Sequence, residues 1–463
     1  MEERKTIYLC LAHMSEAGLE QKYVKEAFDT NWVVPLGPNV NAFEEDLRRF
    51  IIGNVESKVL SLSRWPEAWK DAWHLNADLK NKQVVALSSG TSAVHLALIG
   101  CGVKAGDEVC VQSFTFCASS HPITYLGAKP VFIGSEKDTW NMDPELLEKA
   151  IIDRKEKTGN YPKAIVVVAL YGMPYRIDRI MEIADKYGIP VIEDAAEGLG
   201  SRFNGQVLGT FGRYGVLSFN GNKMITTSGG GALICNSEEE KNEIMWYATQ
   251  ARDAYPYYQH SSIGYNYRLS NVCAGIGRGQ MTVLDAHIKH HQHVQALYEE
   301  LLDNVPGVHI HKQPQEKAFD SNFWLCTATI DPEVKVKGQE SVYKEVIKTA
   351  VGGAAGVIHA VDSATTDCQP NDNVEALRVF MLNKKVECRP LWKPMHCQPV
   401  YANGAEFQKV SEVQKVQEGP KMACYTNGVE EELFKVGFCL PAGPYVTDDD
   451  VRYIVECIKE AIS

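Results

Sequence analysis

Short apolar runs alternate with helical patterns along the chain from residue 84 onward. Seven such runs, five of them separated by amphipathic segments, lie at residues 84–87, 109–111, 129–133, 165–170, 190–194, 215–219 and 231–235. Strands that alternate with helices in this way form a parallel sheet with helices on both of its faces. The pattern therefore predicts an α/β fold with a mostly parallel, seven-stranded sheet.

Helical patterns flank this region on both sides. Apolar residues recur at helical spacing in residues 14–30, 41–52, 283–304, 371–384 and 448–461, and a further β-rich run covers residues 323–330. The regular alternation of strand and helix stops near residue 283. We therefore expect a large domain at residues 1–282 and a smaller α+β domain at residues 283–463.

Two segments interrupt the pattern. Residues 53–82 are polar but contain Trp65, Trp69 and Trp73, whose spacing of four places them on one face of a helix. The simplest interpretation is a packing face, and the alternative is a lid over a substrate. A Gly/Ala-rich segment at residues 351–356 interrupts the smaller domain.

Composition and charge exclude several classes of protein. The chain has 463 residues, of which 45% are hydrophobic and 23% charged, as in ordinary globular proteins. Its net charge of −12 argues against nucleic-acid or anionic-membrane partners, although a local pocket can still bind a small anion. No apolar run approaches the length of about 20 residues that spans a bilayer, and the first residues lack the order of a signal peptide.

The 13 cysteines indicate a reducing environment. Their number is odd and no two have CxxC spacing, which fits neither a disulfide framework nor a zinc ribbon. We therefore expect a cytoplasmic protein without a metal.

Four local motifs carry candidate chemistry. Residues 88–92 (SSGTS) follow a predicted strand and open a helix, where backbone amides bind anions, although an ordinary helix cap is the alternative. Residues 192–197 (IEDAAE) place Asp194 and Glu197 at the end of another strand, where carboxylates face a ligand crevice or cap a helix.

The other two motifs supply cations. Lys223 lies among small residues just before the three glycines at 229–231, which suggest close backbone approach rather than a stiff strand. Arg268, in residues 264–270 (GYNYRLS), can bind a carboxylate with its guanidinium group, unless this is a surface turn. An anion cradle, a buried carboxylate and an amine are together what pyridoxal 5′-phosphate requires.

Other patterns favour simpler interpretations. His287, His290, His291 and His293 share a helical run, but no carboxylate or cysteine completes a metal set there, so we expect a solvated helix face. Gly275, Gly277 and Gly279 are expected to permit helix packing. The GxGxxG and GxxxxGK fingerprints of nucleotide-binding loops are absent.

Nearly the whole chain resembles the DegT/DnrJ/EryC1/StrS family of sugar aminotransferases. The matching motifs are residues 87–98 (LSSGTSAVHLAL), 106–109 (GDEV), 113–116 (SFTF), 126–132 (LGAKPVF), 170–172 (LYG), 189–196 (IPVIEDAA), 264–268 (GYNYR) and 439–441 (CLP). The resemblance implies the type I fold of pyridoxal-phosphate-dependent transferases, which is similar to that of aspartate aminotransferase. Residues 218–231, 249–252, 265–271 and 389–396 resemble the branch of the family that acts in N-acetylbacillosamine synthesis.

The resemblance implies a role for each residue around the cofactor. Lys223 would be the catalytic Schiff-base lysine, Asp194 would pair with the pyridine nitrogen, and Glu197 would bind the ring hydroxyl. Phe116 would stack on the ring, with Phe114 as the alternative if the alignment slips by two residues. The phosphate would be held by Gly90, Thr91, Ser92, Ser218 and, from the partner subunit, Asn266.

The resemblance also implies the substrates. Arg268 is a candidate for binding the carboxylate of L-glutamate, and the candidates for binding the nucleotide sugar are Asn31, Trp32, Trp392, Lys393 and His396. We expect a homodimer with shared active sites that aminates UDP-4-keto-6-deoxy-N-acetylglucosamine, with pyridoxamine phosphate as the intermediate cofactor form. The alternatives are amination of another nucleotide-linked 3- or 4-keto sugar, and a cofactor-binding regulator without turnover. Residues 53–82 and 351–370 are longer than the family pattern, so they bear on which sugar is used.

Overall fold

The computed structural model describes residues 4–57, 79–340, 368–402 and 422–463. The helices are α1 (Leu19–Asp29), α2 (Pro38–Ser57), α3 (Gly90–Gly100), α4 (His121–Tyr125), α5 (Pro144–Thr158), α6 (Ile177–Tyr187), α7 (Glu238–Ala248), α8 (Asn271–Met281), α9 (Leu284–Leu302), α10 (Asp372–Asn383), α11 (Pro399–Ala402), α12 (Val429–Val436) and α13 (Asp448–Ile462). Within these ranges no helix is both long and apolar enough to cross a membrane.

The strands of the described ranges form three sheets. They are β1 (Gln83–Leu87), β2 (Glu108–Gln112), β3 (Lys129–Ile133), β4 (Ala164–Val168), β5 (Val191–Asp194), β6 (Arg202–Phe203), β7 (Gln206–Val207), β8 (Tyr214–Ser218), β9 (Gly231–Cys235), β10 (Val308–Ile310), β11 (Phe319–Asp320), β12 (Cys326–Ile330), β13 (Arg389–Pro390), β14 (Cys424–Tyr425) and β15 (Gly437–Leu440). The main sheet has the order β1-β9-β8-β5-β4-β2-β3-β14. Only β9 runs antiparallel to its neighbours in this sheet.

The seven predicted strands all lie in this sheet, which confirms the mostly parallel α/β fold. The sheet has an eighth strand, however, because β14 pairs in parallel with β3 at its edge. The sequence prediction missed β14 since a two-residue strand carries no periodicity of its own. Its place is set by the tertiary contacts that bring it to β3.

Both faces of the main sheet are buried. In β1, Val84 and Ala86 belong to one hydrophobic cluster, whereas Val85 and Leu87 belong to another on the opposite face. Side chains alternate between the faces of a strand, so a strand that is apolar at every position needs cover on both sides. Strands that read as continuous apolar runs therefore fold into the middle layer of a three-layered domain.

Helix α8 packs closely against α1 and α2. A Cβ atom placed on Gly275 would lie 3.1 Å from the Tyr23 carbonyl carbon, and one on Gly277 would lie 2.7 Å from the Phe43 ring. A Cβ atom on Gly279 would similarly collide with Glu20. These contacts confirm that the three glycines permit helix packing.

The C-terminal part of the chain builds a second core around a smaller antiparallel sheet. This sheet has the order β10-β12-β15-β13, and residues of α9, α10 and α13 pack on it. Ile7 joins the same core and forms a bridge with Val386. The predicted division at residue 283 stays a prediction, and the segments with the three tryptophans and with residues 351–356 lie outside the described residues.

Replacing Gly215 in β8 with alanine should destabilise the protein by about 3 kcal/mol. The added Cβ atom would overlap the carbonyl oxygen of Gly209, a backbone atom that cannot swing aside. Gly53→Ala is the matched control, because a Cβ atom there meets nothing within 4 Å. In a helix the control should instead stabilise by about 0.5–1 kcal/mol. Thermal unfolding of both variants checks the prediction, and equal melting temperatures would contradict it.

Candidate active site

The turn between β1 and α3 forms an anion cradle at the carboxyl end of the main sheet. The Ser89 hydroxyl caps the helix by accepting the amide of Ser92 at 3.0 Å, and the Ser92 hydroxyl accepts the amide of Ser89 at 3.0 Å. Since the first amides of a helix have no partner inside it, this cap leaves those of Gly90 and Thr91 for an anion. Capping and anion binding are thus compatible, although the predicted use of the Ser92 amide for a phosphate competes with the cap.

Two strands, β8 and β9, pack closely against this turn. A Cβ atom on Gly90 would lie 3.1 Å from Cβ of Ser218, so the hydroxyl-bearing end of β8 borders the cradle. The assignment of Ser218 to a phosphate stays a prediction. A Cβ atom on Gly231 in β9 would overlap the amide of Gly90. The glycine at this position therefore reflects close backbone approach.

A buried carboxylate ends β5. Asp194 is only 3% exposed, and its Oδ2 accepts the Ser119 hydroxyl at 2.7 Å while its Oδ1 accepts the Ala196 amide at 3.2 Å. Burial raises the pKa of Asp194, and these hydrogen bonds and the charge of Lys223 oppose that shift. An ionised carboxylate at this depth is costly unless a cation faces it.

The amine of Lys223 is held by Glu197 and an indole ring. Its Nζ lies 3.0 Å from Oε1 of Glu197 and 4.1 Å from the centre of the Trp324 ring. The other carboxylate oxygen of Glu197 accepts the amide of Tyr171 at 2.8 Å. Burial raises the pKa of Glu197, and Lys223 is the main group that counters this shift. Both ends of the ion pair are therefore fixed before any ligand enters.

Aromatic side chains line the space beside this lysine. Trp392 lies 5.5 Å from Phe116, 5.0 Å from Tyr171 and 6.3 Å from Trp324, measured between ring centres. Phe116 is 54% exposed, whereas Phe114 is fully buried in the core. Of the two candidates for stacking on a cofactor ring, only Phe116 presents a free ring face.

The burial of two histidines in α9 shows that the predicted solvated helix face is wrong there. His287 and His291 are 6% and 0% exposed, so the expected solvated helix face is wrong for them. Their Nδ1 atoms lie 3.2 Å from the Met224 carbonyl oxygen and 3.0 Å from the Phe323 carbonyl oxygen. Burial lowers the pKa of His291 to about 3, so its ring is neutral. Each ring holds backbone next to Lys223 or Trp324.

The candidates for substrate binding are placed less closely together. Arg268 forms a bridge with Leu87 at the end of β1, and Asn266 is exposed and forms a bridge with Thr249. Asn31 and Trp32 are exposed on the stretch before α2. These assignments stay predictions.

Lys393 and His396 follow Trp392 in the chain. The His396 ring already has partners on both nitrogens, with Nδ1 2.7 Å from the Ser113 hydroxyl and Nε2 3.0 Å from Oε1 of Glu431. Lys393 is half-buried, and burial lowers its pKa. A substrate would therefore meet Lys393 more easily than His396, and both roles stay predictions.

Three residues of this site had no predicted role. Ser119 and Trp324 carry no sequence signal, because the contacts that matter join residues 75 and about 100 positions apart. Tyr171 lies in the LYG motif at residues 170–172, and its positive φ of 54° turns its amide toward Glu197. That strained backbone is visible only in the structure.

Comparison with known proteins gives consistent matches over the chain. The model of the DegT/DnrJ/EryC1/StrS aminotransferase family matches residues 72–360. EpsN of Bacillus subtilis, named as a pyridoxal phosphate-dependent aminotransferase, is 39% identical over 98% of this chain and 95% of its own length. GDP-perosamine synthase of Escherichia coli O157:H7 is 29% identical over 98% and 99%. A DegT DnrJ EryC1 StrS aminotransferase from Brucella abortus has the same fold, with a TM-score of 0.71 at 22% identity over 96% of this chain and 95% of its own.

Proposed function

Since the chain belongs to the DegT/DnrJ/EryC1/StrS aminotransferase family, we propose that it transfers an amino group from L-glutamate to a nucleotide-linked keto sugar. The acceptor proposed is UDP-4-keto-6-deoxy-N-acetylglucosamine, which becomes the 4-amino sugar. The observation that carries the proposal is the Lys223–Glu197 pair beside the buried carboxylate of Asp194. A mobile proton carrier and a fixed negative charge are what transamination needs.

The cofactor is pyridoxal 5′-phosphate, and the residues fit it. Asp194 is a buried carboxylate. The cation that lowers its pKa is Lys223, and this lysine is already paired with Glu197. A protonated pyridine nitrogen supplies the missing positive charge, and the cradle of Gly90, Thr91 and Ser218 accepts a phosphate. When bound, the cofactor supplies a ring that accepts the electrons left when the amino acid loses its Cα proton.

The chain's own residues then handle the protons. In its neutral form, Lys223 takes the proton from Cα of the amino donor at its Nζ. It then gives up this proton to complete the transfer of the amino group. Glu197 keeps that amine in place through its hydrogen bond, and Trp324 covers it from one side. Asp194 would hold a proton on the pyridine nitrogen of the bound cofactor. Proton transfer by a positioned group contributes about 10²–10⁴-fold to a rate.

We further propose that two copies share each site. Large apolar side chains are exposed in two groups, which consist of Phe28, Trp32, Val33, Val34 and Leu36, and of Tyr255, Tyr257, Tyr258 and Ile263. Apolar patches of this kind mark surfaces that a partner covers. Asn266 lies next to the second group, where it can reach the phosphate of the other copy.

A heterodimer of Lys223→Ala and Asn266→Ala chains should regain about half of the wild-type activity, because one of its two sites then lacks both changes. Each homodimer should be impaired, with Asn266→Ala losing about tenfold or more through a missing hydrogen bond to a charged group. Heterodimers purified with two different tags provide the measurement. If each site used one chain only, the heterodimer would have at most half the activity of the Asn266→Ala homodimer.

A substrate panel tests the proposed reaction. The purified protein is incubated with L-glutamate and UDP-linked 4-keto, UDP-linked 3-keto or GDP-linked 4-keto sugars, and 2-oxoglutarate and the amino sugar are quantified. GDP sugars belong in the panel because the name of one full-length relative specifies one. The proposal expects the largest kcat/KM with UDP-4-keto-6-deoxy-N-acetylglucosamine. Bound cofactor without release of 2-oxoglutarate from L-glutamate, whichever acceptor is supplied, would instead favour a regulator.

A further inference from the structure

A compact set of metal-binding side chains lies at the 3₁₀ turn Met395–Cys397. Nε2 of His396 is 3.0 Å from Oε1 of Glu431 and 3.2 Å from Sγ of Cys397. The three atoms all lie within 4.8 Å of one another. All three residues are half-buried. They meet because the turn packs against the first turn of α12.

The spacing of these atoms matches a zinc coordination sphere. Zinc binds imidazole nitrogen and carboxylate oxygen at about 2.0–2.2 Å and thiolate sulfur at about 2.3 Å in a tetrahedron. Donor atoms on a tetrahedron of this size lie about 3–4 Å apart. Two of the three donor pairs are at the short end of this range and the third lies within 4.8 Å, so an ion would require a rearrangement of the donors by about 1 Å.

The surroundings of the cluster orient its donors as in known metal sites. The Nδ1 atom of His396 is 2.7 Å from the hydroxyl of Ser113, which fixes the ring and leaves Nε2 facing Cys397. Behind it, Glu430 is fully buried, has an Oε1 without a hydrogen-bond partner among the described residues, and lies 4.0 Å from Nδ1. Carboxylates and hydroxyls on the far nitrogen of a histidine ligand are the usual outer support of a zinc site.

Cys368 is the candidate for a fourth donor. The thiol of Cys368 forms a hydrogen bond with that of Cys397, so a shift of this side chain toward the other three donors would complete a four-ligand sphere. Two thiols, one imidazole and one carboxylate make a donor set that prefers zinc to magnesium or calcium. No sequence motif indicates this set, because its members are not arranged as CxxC and Cys368 is 63 positions from Glu431.

We propose that His396, Cys397, Glu431 and Cys368 bind one Zn²⁺ ion as a structural site. Four protein ligands leave no open position, so the ion takes no part in the chemistry. The ion links the segment before α10, the turn at residues 395–397 and α12. The hydrogen bond between His396 and Ser113 connects these segments to the loop that carries Ser113. This tie also fixes Trp392, whose ring contacts Phe116 and Tyr171 in the active site. The inference stands whether or not the proposed sugar substrate is correct.

Zinc binding to the holoenzyme tests the site. The protein is purified with a reductant and a chelator, dialysed against buffered free Zn²⁺, and analysed for metal and protein content. Wild type should hold about one Zn²⁺ per chain, and Cys397→Ser should bind it at least about 100-fold more weakly. Cys273→Ser is the matched control, because this half-buried cysteine lies in α8 away from the cluster. It should bind zinc like wild type.

Two further measurements guard against a misfolded variant and a different site. Glu431→Gln keeps the size of the side chain but loses its charge, and it should also weaken zinc binding without changing the circular dichroism spectrum. X-ray absorption at the zinc edge should show sulfur at about 2.3 Å in wild type and less of it in Cys397→Ser. Equal zinc content in wild type and both variants, a first shell without sulfur, or no zinc bound at micromolar free ion would overturn the proposal. The cluster would then be a hydrogen-bonded network only.

Discussion

Lys223→Ala should lower the turnover of L-glutamate and keto sugar by at least about 10³-fold. The amine is the only side-chain base that the described structure places between Glu197 and Trp324, at 3.0 Å from the carboxylate and 4.1 Å from the ring centre. Removing it takes away both the proton carrier and the positive charge that balances Glu197. Steady-state release of 2-oxoglutarate measures the loss.

Two companion variants separate these effects. Lys223→Arg keeps the positive charge next to Glu197 but is a poor proton carrier, because guanidinium does not lose its proton near neutral pH. It should therefore fold as well as wild type and still lose most of its turnover. Lys289→Ala removes an exposed lysine from α9 and should leave the rate unchanged. Borohydride should attach the cofactor to the peptide with Lys223 in wild type and in Lys289→Ala, but not to this peptide in Lys223→Ala or Lys223→Arg. Near-normal turnover in Lys223→Ala would show that the lysine is misassigned.

The main sheet could be predicted because its strands carry a strong local signal. Val109, Val131, Val166 and Ile192 lie in short, mostly apolar runs and are buried in the core. Elements without such a signal were missed or misjudged. Between the predicted strands at residues 109–111 and 129–133, the chain forms a 3₁₀ turn at Cys117–Ser119 followed by the short α4 rather than one regular helix. Short and irregular elements depend on tertiary contacts that a single sequence does not show.

The site was predictable only in part, and for the same reason. Asp194 and Ser218 end strands of a sheet whose carboxyl edge binds ligands, so their position follows from the pattern. The contacts of Trp324 and Ser119 with Lys223 and Asp194 join distant parts of the chain and have no local signature. His287 had the polar character of a surface residue. Its burial follows from the packing of α9 against the backbone at Met224, which the helical period alone does not reveal.

Asp194→Asn should lower kcat/KM by at least about 10²-fold while leaving the fold intact. Asparagine has the same shape and can still accept the Ser119 hydroxyl, which lies 2.7 Å from Oδ2. It lacks the charge that keeps a proton on the ring nitrogen, so the cofactor becomes a weaker electron acceptor. Ser119→Ala is the matched control, since it removes the hydrogen bond but keeps the charge. Its loss should be much smaller.

The stability of the cofactor-free protein provides an independent check on the charge of Asp194. Because burial raises the pKa of this carboxyl group above its unfolded value, its contribution is complete at low pH and is lost as the pH rises through the raised pKa. Asp194→Asn does not titrate, so its melting temperature relative to wild type should increase as the pH is raised from about 4 to 8. Added cofactor should reverse the order, because only the wild-type carboxylate gains a cationic partner. If the variant were instead less stable at neutral pH without cofactor, the carboxylate would already have its counter-ion within the protein, and its assignment to the ring nitrogen would fail.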